Sequence, residues 1–332
     1  MSGSRIAIYG LVAVVLLGLP FAGSHYEHFL LNTALIYTLI ALSLVILIGY
    51  AGQISIGHAG FWALGAFASA ILVTKTGAPF LAGVLFGGVV AAAFGALVAM
   101  PALRVQGHYL AIATLGFALI VQQILFEWES LTGGRQGLFV PRPELAGHQF
   151  NDDFGYYYII LAIVVPFFLL TVRLPKTRFG RRLIALKLSP LAAASFGVNR
   201  ARYLTAAFTL SAFLTGISGA LYAHLIGHLA TETFSLVTSL SFLTMAVIGG
   251  ILSPVGAVLG GIYLTIAPEF LREFKSAQMV LYGVLLVVFM LFLPYGLASL
   301  PQRLMAIMRR RDSAAVPTAA VRGVEPEGGR HD

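Results

Sequence analysis

Ten apolar segments follow one another along the chain, with polar residues between them. Their approximate bounds are 6–23, 29–49, 56–74, 80–101, 108–126, 155–173, 203–226, 234–251, 254–270 and 277–297. A helix needs about 20 mostly apolar residues to cross a bilayer, so these lengths predict an all-α, polytopic membrane protein with about ten transmembrane helices. The segments at 56–74, 234–251 and 254–270 are short or interrupted by Gly and Pro, which predicts that some helices are broken or re-entrant.

The two ends of the chain differ from its middle. Residues 1–28 predict an N-terminal anchor helix, because the apolar run from Ile6 to Ala22 is longer than the ~7–15 residues of a signal-peptide core. A cleaved signal peptide is the alternative interpretation. Residues 29–301 form the predicted transmembrane domain, and residues 302–332, rich in Ala, Gly, Pro and charge, predict a disordered cytoplasmic tail.

The composition agrees with a membrane protein. Of the 332 residues 58% are hydrophobic and 10% are charged, against about 25% charged in an average soluble domain. The net charge of +8 also suits a nucleic-acid-binding protein, but that surface needs a soluble scaffold which this composition does not provide. We therefore expect no nucleic-acid partner. The chain has no Cys, which excludes disulfides, thiolate metal sites and cysteine nucleophiles.

The distribution of charge predicts an orientation. With the N-terminus placed inside, 16 of the 21 Lys and Arg fall on the cytoplasmic side and nine of the 13 Asp and Glu fall outside. Loops rich in Lys and Arg face the cytoplasm, and a single assignment sorts both signs. The sequence therefore predicts a multi-pass protein with both termini cytoplasmic.

Ionisable side chains are absent from the middle of the predicted spans. No Asp, Glu, Lys or Arg lies near the centre of any of them. A proton-coupled carrier normally needs an intramembrane carboxylate, whereas a sodium-coupled carrier can instead use unwound backbone. The pattern therefore argues against proton coupling and weakens sodium coupling.

The most unusual stretch of the chain runs from Gly49 to Gly60, where four Gly and three polar side chains interrupt apolar sequence. Gly weakens a helix by about 1 kcal/mol relative to Ala, so we expect this stretch to be unwound or re-entrant. A second interruption runs from Gly249 to Gly256. Broken segments in both halves point to a transporter's substrate path, although close helix packing through Gly explains them equally well. The candidate path residues are Gly52, Gln53, Ser55, Gly57, His58, Gly60 and Thr114.

The predicted inner loop, residues 174–202, contains seven Lys and Arg, directly preceded by Arg173, and no acidic residue. Topology and contact with anionic membrane lipid explain that charge. They do not explain the Ala-rich stretch from Leu191 to Gly197, which predicts a short helix closed by Gly. Such a helix suits docking into a groove on another protein. The candidate coupling residues are Arg181, Arg182, Leu191, Ala192, Ala193 and Gly197.

Enzyme signatures are missing from the sequence. None of the four Lys is preceded by Gly, so there is no Walker A motif, and neither His-Glu-x-x-His nor Gly-x-Ser-x-Gly occurs. We predict no catalytic residue, no metal site and no cofactor. If ATP drives transport, a separate polypeptide hydrolyses it.

Six blocks in order carry a family resemblance: Gly49–Ala59, Tyr109–Phe117, Thr132–Leu138, Gly180–Ala185, Gly197–Tyr203 and Ser218–Leu221. Together they resemble the LivM-type permease subunits of branched-chain amino-acid ABC importers, over about residues 29–300. The resemblance implies an inner-membrane subunit that pairs with a second, LivH-like permease. It also implies two cytoplasmic ABC ATPase subunits and an extracytoplasmic substrate-binding protein.

The resemblance further implies that the helix around residues 191–197 is the coupling helix that rests on an ATPase. The family usually has acidic residues where this chain has Ser189, Pro190 and Ala194, so the polar part of the docking surface is altered. The function implied is ATP-driven, alternating-access import of branched-chain amino acids or related small solutes. A stand-alone secondary carrier or a channel for small amphipathic solutes is the alternative hypothesis.

Overall fold

The computed structural model describes residues 17–103, 107–145, 148–150, 152–271, 283, 287 and 296–299. The chain divides into two units, residues 1–298 and 299–332. Every helix and strand discussed below belongs to the first unit, except the turn Leu297–Ser299, whose last residue belongs to the second. Of the second unit, the structure describes Ser299 alone.

Helices dominate the described residues. The α-helices of at least six residues are α1 (His25–Leu44), α2 (His58–Thr76), α3 (Phe80–Ala102), α4 (His108–Glu127), α5 (Asp153–Arg173), α6 (Arg178–Leu188), α7 (Pro190–Ser195), α8 (Arg200–Ile226), α9 (Leu236–Gly249) and α10 (Pro254–Leu271). A π-helix over Val45–Tyr50 continues α1. Shorter helical turns cover Leu19–Ala22, Glu129–Thr132, Gly134–Gln136, Leu174–Lys176, Thr231–Phe234 and Leu297–Ser299.

Among the residues that the structure describes, the strands form two short antiparallel pairs. Strand β1 (Leu138–Phe139) pairs with β4 (His228–Leu229), and β2 (Glu144–Leu145) pairs with β3 (His148–Gln149). The β1–β4 pair ties the connection between α4 and α5 to the end of α8. This connection therefore consists of turns and short pairings, which agrees with its Gly and Pro content.

Within the described ranges, six helices are long and apolar enough to cross a membrane: His25–Tyr50, His58–Thr76, Phe80–Pro101, His108–Glu127, Asp153–Lys176 and Arg200–Ile226. The helices Leu236–Gly249 and Pro254–Phe270 are apolar but shorter. Helices thus occur at eight of the ten predicted segments. The segments at 6–23 and 277–297 and the tail at 302–332 lie wholly or largely outside the described residues. The all-α, polytopic class is supported, and a total of about ten spans stays a prediction.

Polar side chains mark where the helices begin. Ser24 and Glu27 form a capping box at the start of α1, which satisfies amide groups that the first helical turn leaves unpaired. Side-chain oxygens cap five further helices in the same way: Asp152 for α5, Thr177 for α6, Ser189 for α7, Asn199 for α8 and Ser235 for α9. Local sequence therefore fixes these helix starts.

Helix α8 is the centre of the bundle and packs against α1, α2 and α3. Gly65 of α2 lies directly against Gly216 of α8, and Gly219 lies against the carbonyl of Trp62. A Cβ at any of these glycines would collide with the backbone of the neighbouring helix. Small residues at such crossings let helix backbones approach closely in a membrane, so part of the Gly content serves packing.

Candidate functional site

A break separates α1 from α2. The π-helix ends at Tyr50, and Gly52 adopts a left-handed conformation, φ 70°, that side chains disfavour. No regular helix forms between Gly52 and Gly57, and α2 begins at His58. We call residues 51–57 the re-entrant segment. The interruption that the Gly and polar residues predict is therefore confirmed.

The re-entrant segment returns into the bundle. The Nε2 atom of His58 lies 3.1 Å from the Ser211 hydroxyl oxygen in α8, and that hydroxyl donates to the carbonyl of Ser43 at 3.1 Å. Ser43 precedes Tyr50 by seven residues, or about 10 Å along a helix at 1.5 Å per residue. The start of α2 is therefore linked, through Ser211, to a point on the first helix about two turns before its end.

Hydrogen bonds satisfy the non-helical backbone at this depth. Lipid offers no partner for an unpaired amide, so such backbone must be satisfied by protein or by a water-filled cavity. Side chains from α4 and α9 supply two of the acceptors. The bonds are Gln53 N to Leu47 O at 2.9 Å, Ile56 N to Thr114 Oγ1 at 3.0 Å, Gly57 N to Ser55 Oγ at 3.3 Å and Ala59 N to Ser239 Oγ at 3.2 Å.

His58 is the centre of a buried hydrogen-bond chain. Because the Ser211 hydroxyl proton points at the Ser43 carbonyl, Ser211 accepts from His58 Nε2–H. The other ring nitrogen, Nδ1, then accepts from the Ser55 hydroxyl at 3.2 Å. His58 is 1% exposed, and each polar side-chain atom in this series of hydrogen bonds has a partner. The arrangement fixes one neutral tautomer and holds the start of α2 against α8 and α1.

Thr114 offers a direct test of how the segment is held. Its hydroxyl accepts from Ile56 N and donates to the Ala111 carbonyl. Thr114→Val keeps the shape but leaves the partly buried Ile56 amide without this acceptor, so we expect the free energy of unfolding to fall by about 1–3 kcal/mol. Thr114→Ser retains the hydroxyl and should preserve most of the stability. Denaturant unfolding of the two purified variants measures the difference, and equal stability would contradict this role.

The two Gly-rich interruptions meet in space. Gly49, at the end of α1, lies against the carbonyl of Ile251, and Gly249 lies against Gly256 across the turn between α9 and α10. A Cβ at Gly49 or Gly249 would collide with these backbone atoms. Broken segments from both halves of the chain therefore form one junction. This is the juxtaposition expected of a substrate path, and it is also close packing.

A small polar cavity of about 170 Å³ opens beside the re-entrant segment. Gly52 and Gln53 line one side, and Lys187 of α6 and Arg200 of α8 line the other. The Lys187 ammonium donates to the Gly49 carbonyl at 2.7 Å. The aliphatic part of Lys187 covers Gly52, where a Cβ would lie 2.7 Å from Lys187 Cγ. Partial burial lowers the pKa of Lys187 below its ordinary value.

Helices α6 and α7 form an arm that ends in exposed apolar side chains. Leu188 is 79% exposed, Leu191 86% and Phe196 88%. Exposed apolar patches on a protein surface often mark interaction sites. The predicted short helix is present as α7, and Gly197 after it is left-handed, φ 75°. Ala193 is buried, so its side chain packs within the arm instead of facing outward.

The basic residues of the arm are also placed. The Arg182 guanidinium lies over the ring of Tyr203, 5.5 Å from its centroid, and donates to its hydroxyl. Arg181 is exposed, as is Ala192. Arg182 thus attaches α6 to the start of α8, while Arg181 and the apolar tip are open to a partner.

The predicted path residues therefore occupy two environments. Gly52 and Gln53 border the polar cavity. Ser55, His58 and Thr114 are buried and engaged in hydrogen bonds, and Gly57 and Gly60 lie in close contact with α4. Six of the seven are neighbours in sequence, and the structure adds Thr114 from α4, which accepts from the Ile56 amide.

Sequence reasoning missed several residues that complete the site. Ser43, Ser211 and Ser239 receive or relay bonds from the first residues of α2, and Lys187 reaches Gly49 from the arm. Isolated hydroxyls inside apolar helices are a usable signal, because buried polar groups need partners. The choice of partner depends on contacts between distant parts of the chain.

A mainly helical bundle with a break between its first two long helices, and a basic arm ending in exposed apolar residues, fits a transport permease. The comparison with protein families agrees: residues 28–294 match the branched-chain amino acid transport system / permease component family. The chain belongs to this family, and the predicted resemblance is confirmed.

Individual relatives support the same conclusion. The chain is 32% identical over 314 residues to the high-affinity branched-chain amino acid transport system permease protein LivM of Escherichia coli, covering 86% of this chain and 74% of the relative. It is 25% identical to LivH of Escherichia coli (80% and 92% covered). It is 26% identical to the nucleoside ABC transporter permease protein NupC of Lactococcus lactis (74% and 86% covered). No solved structure matches the chain significantly.

Proposed function

We propose that the chain is one of two permease subunits in an ABC importer. Its partners are a LivH-like permease, two cytoplasmic ABC ATPase subunits and an extracytoplasmic substrate-binding protein. The family match and the similarity to both LivM and LivH support this assembly. In this proposal residues 29–301 form the permease domain, 1–28 an anchor helix and 302–332 a cytoplasmic tail.

The proposed location is the inner membrane, with both termini cytoplasmic. The distribution of Lys and Arg supports this orientation, because it places the arm of α6 and α7 on the cytoplasmic side. Helices α3 and α4 expose large apolar side chains such as Leu85, Val89, Leu97, Ile112 and Ile120. In the proposal these surfaces contact membrane lipid or the second permease.

One observation carries the proposal: the hydrogen bond from Lys187 Nζ to Gly49 O connects the arm to the end of the π-helix, two residues before the re-entrant segment. We assign the substrate path to the wall formed by Gly52, Gln53, Ser55, Gly57, His58, Gly60 and Thr114. Gly52 and Gln53 face the polar cavity, and the buried members keep the segment in shape.

The arm is the proposed contact with an ATPase. We assign coupling to Arg181, Arg182, Leu191, Ala192, Ala193 and Gly197. The exposed tip at Leu191 and Phe196 supports docking into an apolar groove. When ATP closes the ATPase subunits the arm moves with them, and the two permeases rock to expose the path to alternate sides.

The proposed substrates are branched-chain amino acids or related small solutes. The names of the LivM and LivH relatives support amino acids, and the name of the Lactococcus lactis relative refers to nucleosides. Leucine and a nucleoside are therefore the two solutes to compare.

Reconstitution tests this function. The chain is co-expressed and purified with the second permease and the ATPases, and the complex is reconstituted in liposomes. ATP is supplied on the side of the membrane that the ATPases face. Binding protein and labelled solute are added on the opposite side. We expect ATP-dependent leucine accumulation that requires every subunit. Accumulation by the chain alone without ATP would instead establish a secondary carrier, and downhill flux through the chain alone would establish a channel.

A further inference from the structure

Three potential metal ligands meet where α1 and α5 begin. His25 and His28 lie one turn apart at the start of α1, and Asp152 is the N-cap of α5. One ligand atom from each lies within 4.8 Å of the others. The Nδ1 atom of His25 is 3.4 Å from a carboxylate oxygen of Asp152. We call these three residues the His-His-Asp cluster.

His28 is prepared for metal binding by its own hydrogen bond. Its Nε2 lies 2.7 Å from the carbonyl of Pro20. A carbonyl only accepts, so Nε2 carries the proton and Nδ1 keeps a free lone pair. His28 is 7% exposed, and among the described residues its buried Nδ1 has no hydrogen-bond partner. A buried, unpartnered acceptor is rare in folded proteins and calls for a ligand.

The two helices are held together independently of any metal. The side-chain amide of Asn32, one turn beyond His28, donates to the carbonyl of Asp153 at 2.9 Å. Asp153 in turn pairs with Arg142 at 2.6 Å. These contacts place Asp152 beside the start of α1 without help from the cluster, so the three ligands are brought together in advance.

We propose that the His-His-Asp cluster binds a divalent transition-metal ion of the Zn²⁺ type. Two imidazoles and one carboxylate are ligands that Zn²⁺ favours, with water in a fourth position. Ligands on a tetrahedral zinc lie about 3.3 Å apart, close to the separation of His25 and Asp152. The bond from His28 to a backbone carbonyl is how metal-binding imidazoles are usually oriented. The ion fastens the start of α1 to the start of α5.

The sequence predicts no metal site because its members are far apart along the chain. His25 and Asp152 are separated by 127 positions, and only the packing of α1 on α5 brings them together. The cluster does not depend on the transport function proposed above.

Zinc binding by the purified full-length chain tests the proposal. The affinity tag is removed, the protein is stripped with chelator in detergent, and Zn²⁺ is titrated in competition with a chromogenic zinc indicator. We expect one strong site per chain and a rise in the melting temperature on adding Zn²⁺. His25→Gln and Asp152→Asn should each weaken binding by at least about tenfold, since loss of an outer-shell partner alone costs that much.

Control variants separate a cluster from chance binding. His108→Gln removes an exposed histidine at the start of α4 and should leave the affinity unchanged. His28→Gln tests the buried ligand. If this variant fails to fold, His25→Gln and Asp152→Asn decide whether the cluster binds zinc. Absence of a strong site in the unsubstituted chain, or a strong site that survives both His25→Gln and Asp152→Asn, would overturn the proposal.

Discussion

Gly57→Ala is expected to lower solute uptake by roughly five- to hundredfold while leaving the protein inserted in the membrane. A Cβ at this position would lie 2.5 Å from the Thr114 carbonyl oxygen and 3.1 Å from the Thr114 Cβ. Those atoms belong to helix α4 and cannot swing aside, so α2 and α4 must separate. Overpacking of this kind costs about 1–3 kcal/mol. This free energy is enough to shift an equilibrium between two conformations by roughly five- to hundredfold.

Gly116→Ala is the matched control for Gly57→Ala. Gly116 lies on α4 close to Thr114, but no heavy atom lies within 4 Å of the position its Cβ would take. The two variants should be present in the membrane in similar amounts, as measured by immunoblotting, and only Gly57→Ala should lose uptake. Gly57→Leu should be inactive as well. Normal uptake by Gly57→Leu would remove the re-entrant segment from the path.

The break between α1 and α2 could be predicted from the sequence because its cause is local. Gly52 takes a left-handed conformation and Gly49 lies against the Ile251 backbone, and neither role tolerates a side chain easily. Clusters of Gly inside apolar sequence therefore indicate both turns and close contacts between helices. The pattern alone does not separate the two roles, and here both occur within a few residues.

The behaviour of the polar side chains was harder to predict. The sequence predicts Ser55, His58 and Thr114 as polar lining of a path, which stays a prediction, and the fold adds that they are buried and bonded to protein partners. The physical reason is that unwound backbone in an apolar bundle leaves amides that must be satisfied, and nearby hydroxyls are the available acceptors. Which hydroxyl is near depends on tertiary packing, so Ser211 and Ser239 could not be identified from spacing.

The other site features that the sequence does not predict depend on contacts between distant parts of the chain. Lys187 is one of seven basic residues in the inner loop, and nothing in the sequence distinguishes it from the others. Only the fold shows that its ammonium reaches the end of α1. The same holds for the exposed apolar tip: Leu188, Leu191 and Phe196 look like ordinary helix residues until α6 and α7 are seen to leave them uncovered.

Lys187→Met is expected to uncouple ATP hydrolysis from transport. Methionine keeps an aliphatic chain over Gly52 but loses the donor to the Gly49 carbonyl. A hydrogen bond from a charged, partly exposed donor contributes about 1–2 kcal/mol, so motion of the arm should reach the re-entrant segment roughly five- to thirtyfold less effectively. In the reconstituted importer, solute uptake should fall by that factor while the ATPase rate stays near its original value.

Two further variants serve as controls for Lys187→Met. Lys187→Arg retains a donor of similar length and should recover part of the uptake. Lys176→Met removes an exposed Lys from the same loop and should change nothing, which separates the bond to Gly49 from loss of positive charge. If Lys187→Met loses uptake and ATPase activity together, the bond stabilises the assembly and does not transmit motion. Unchanged uptake would show that the arm acts on the path by another route.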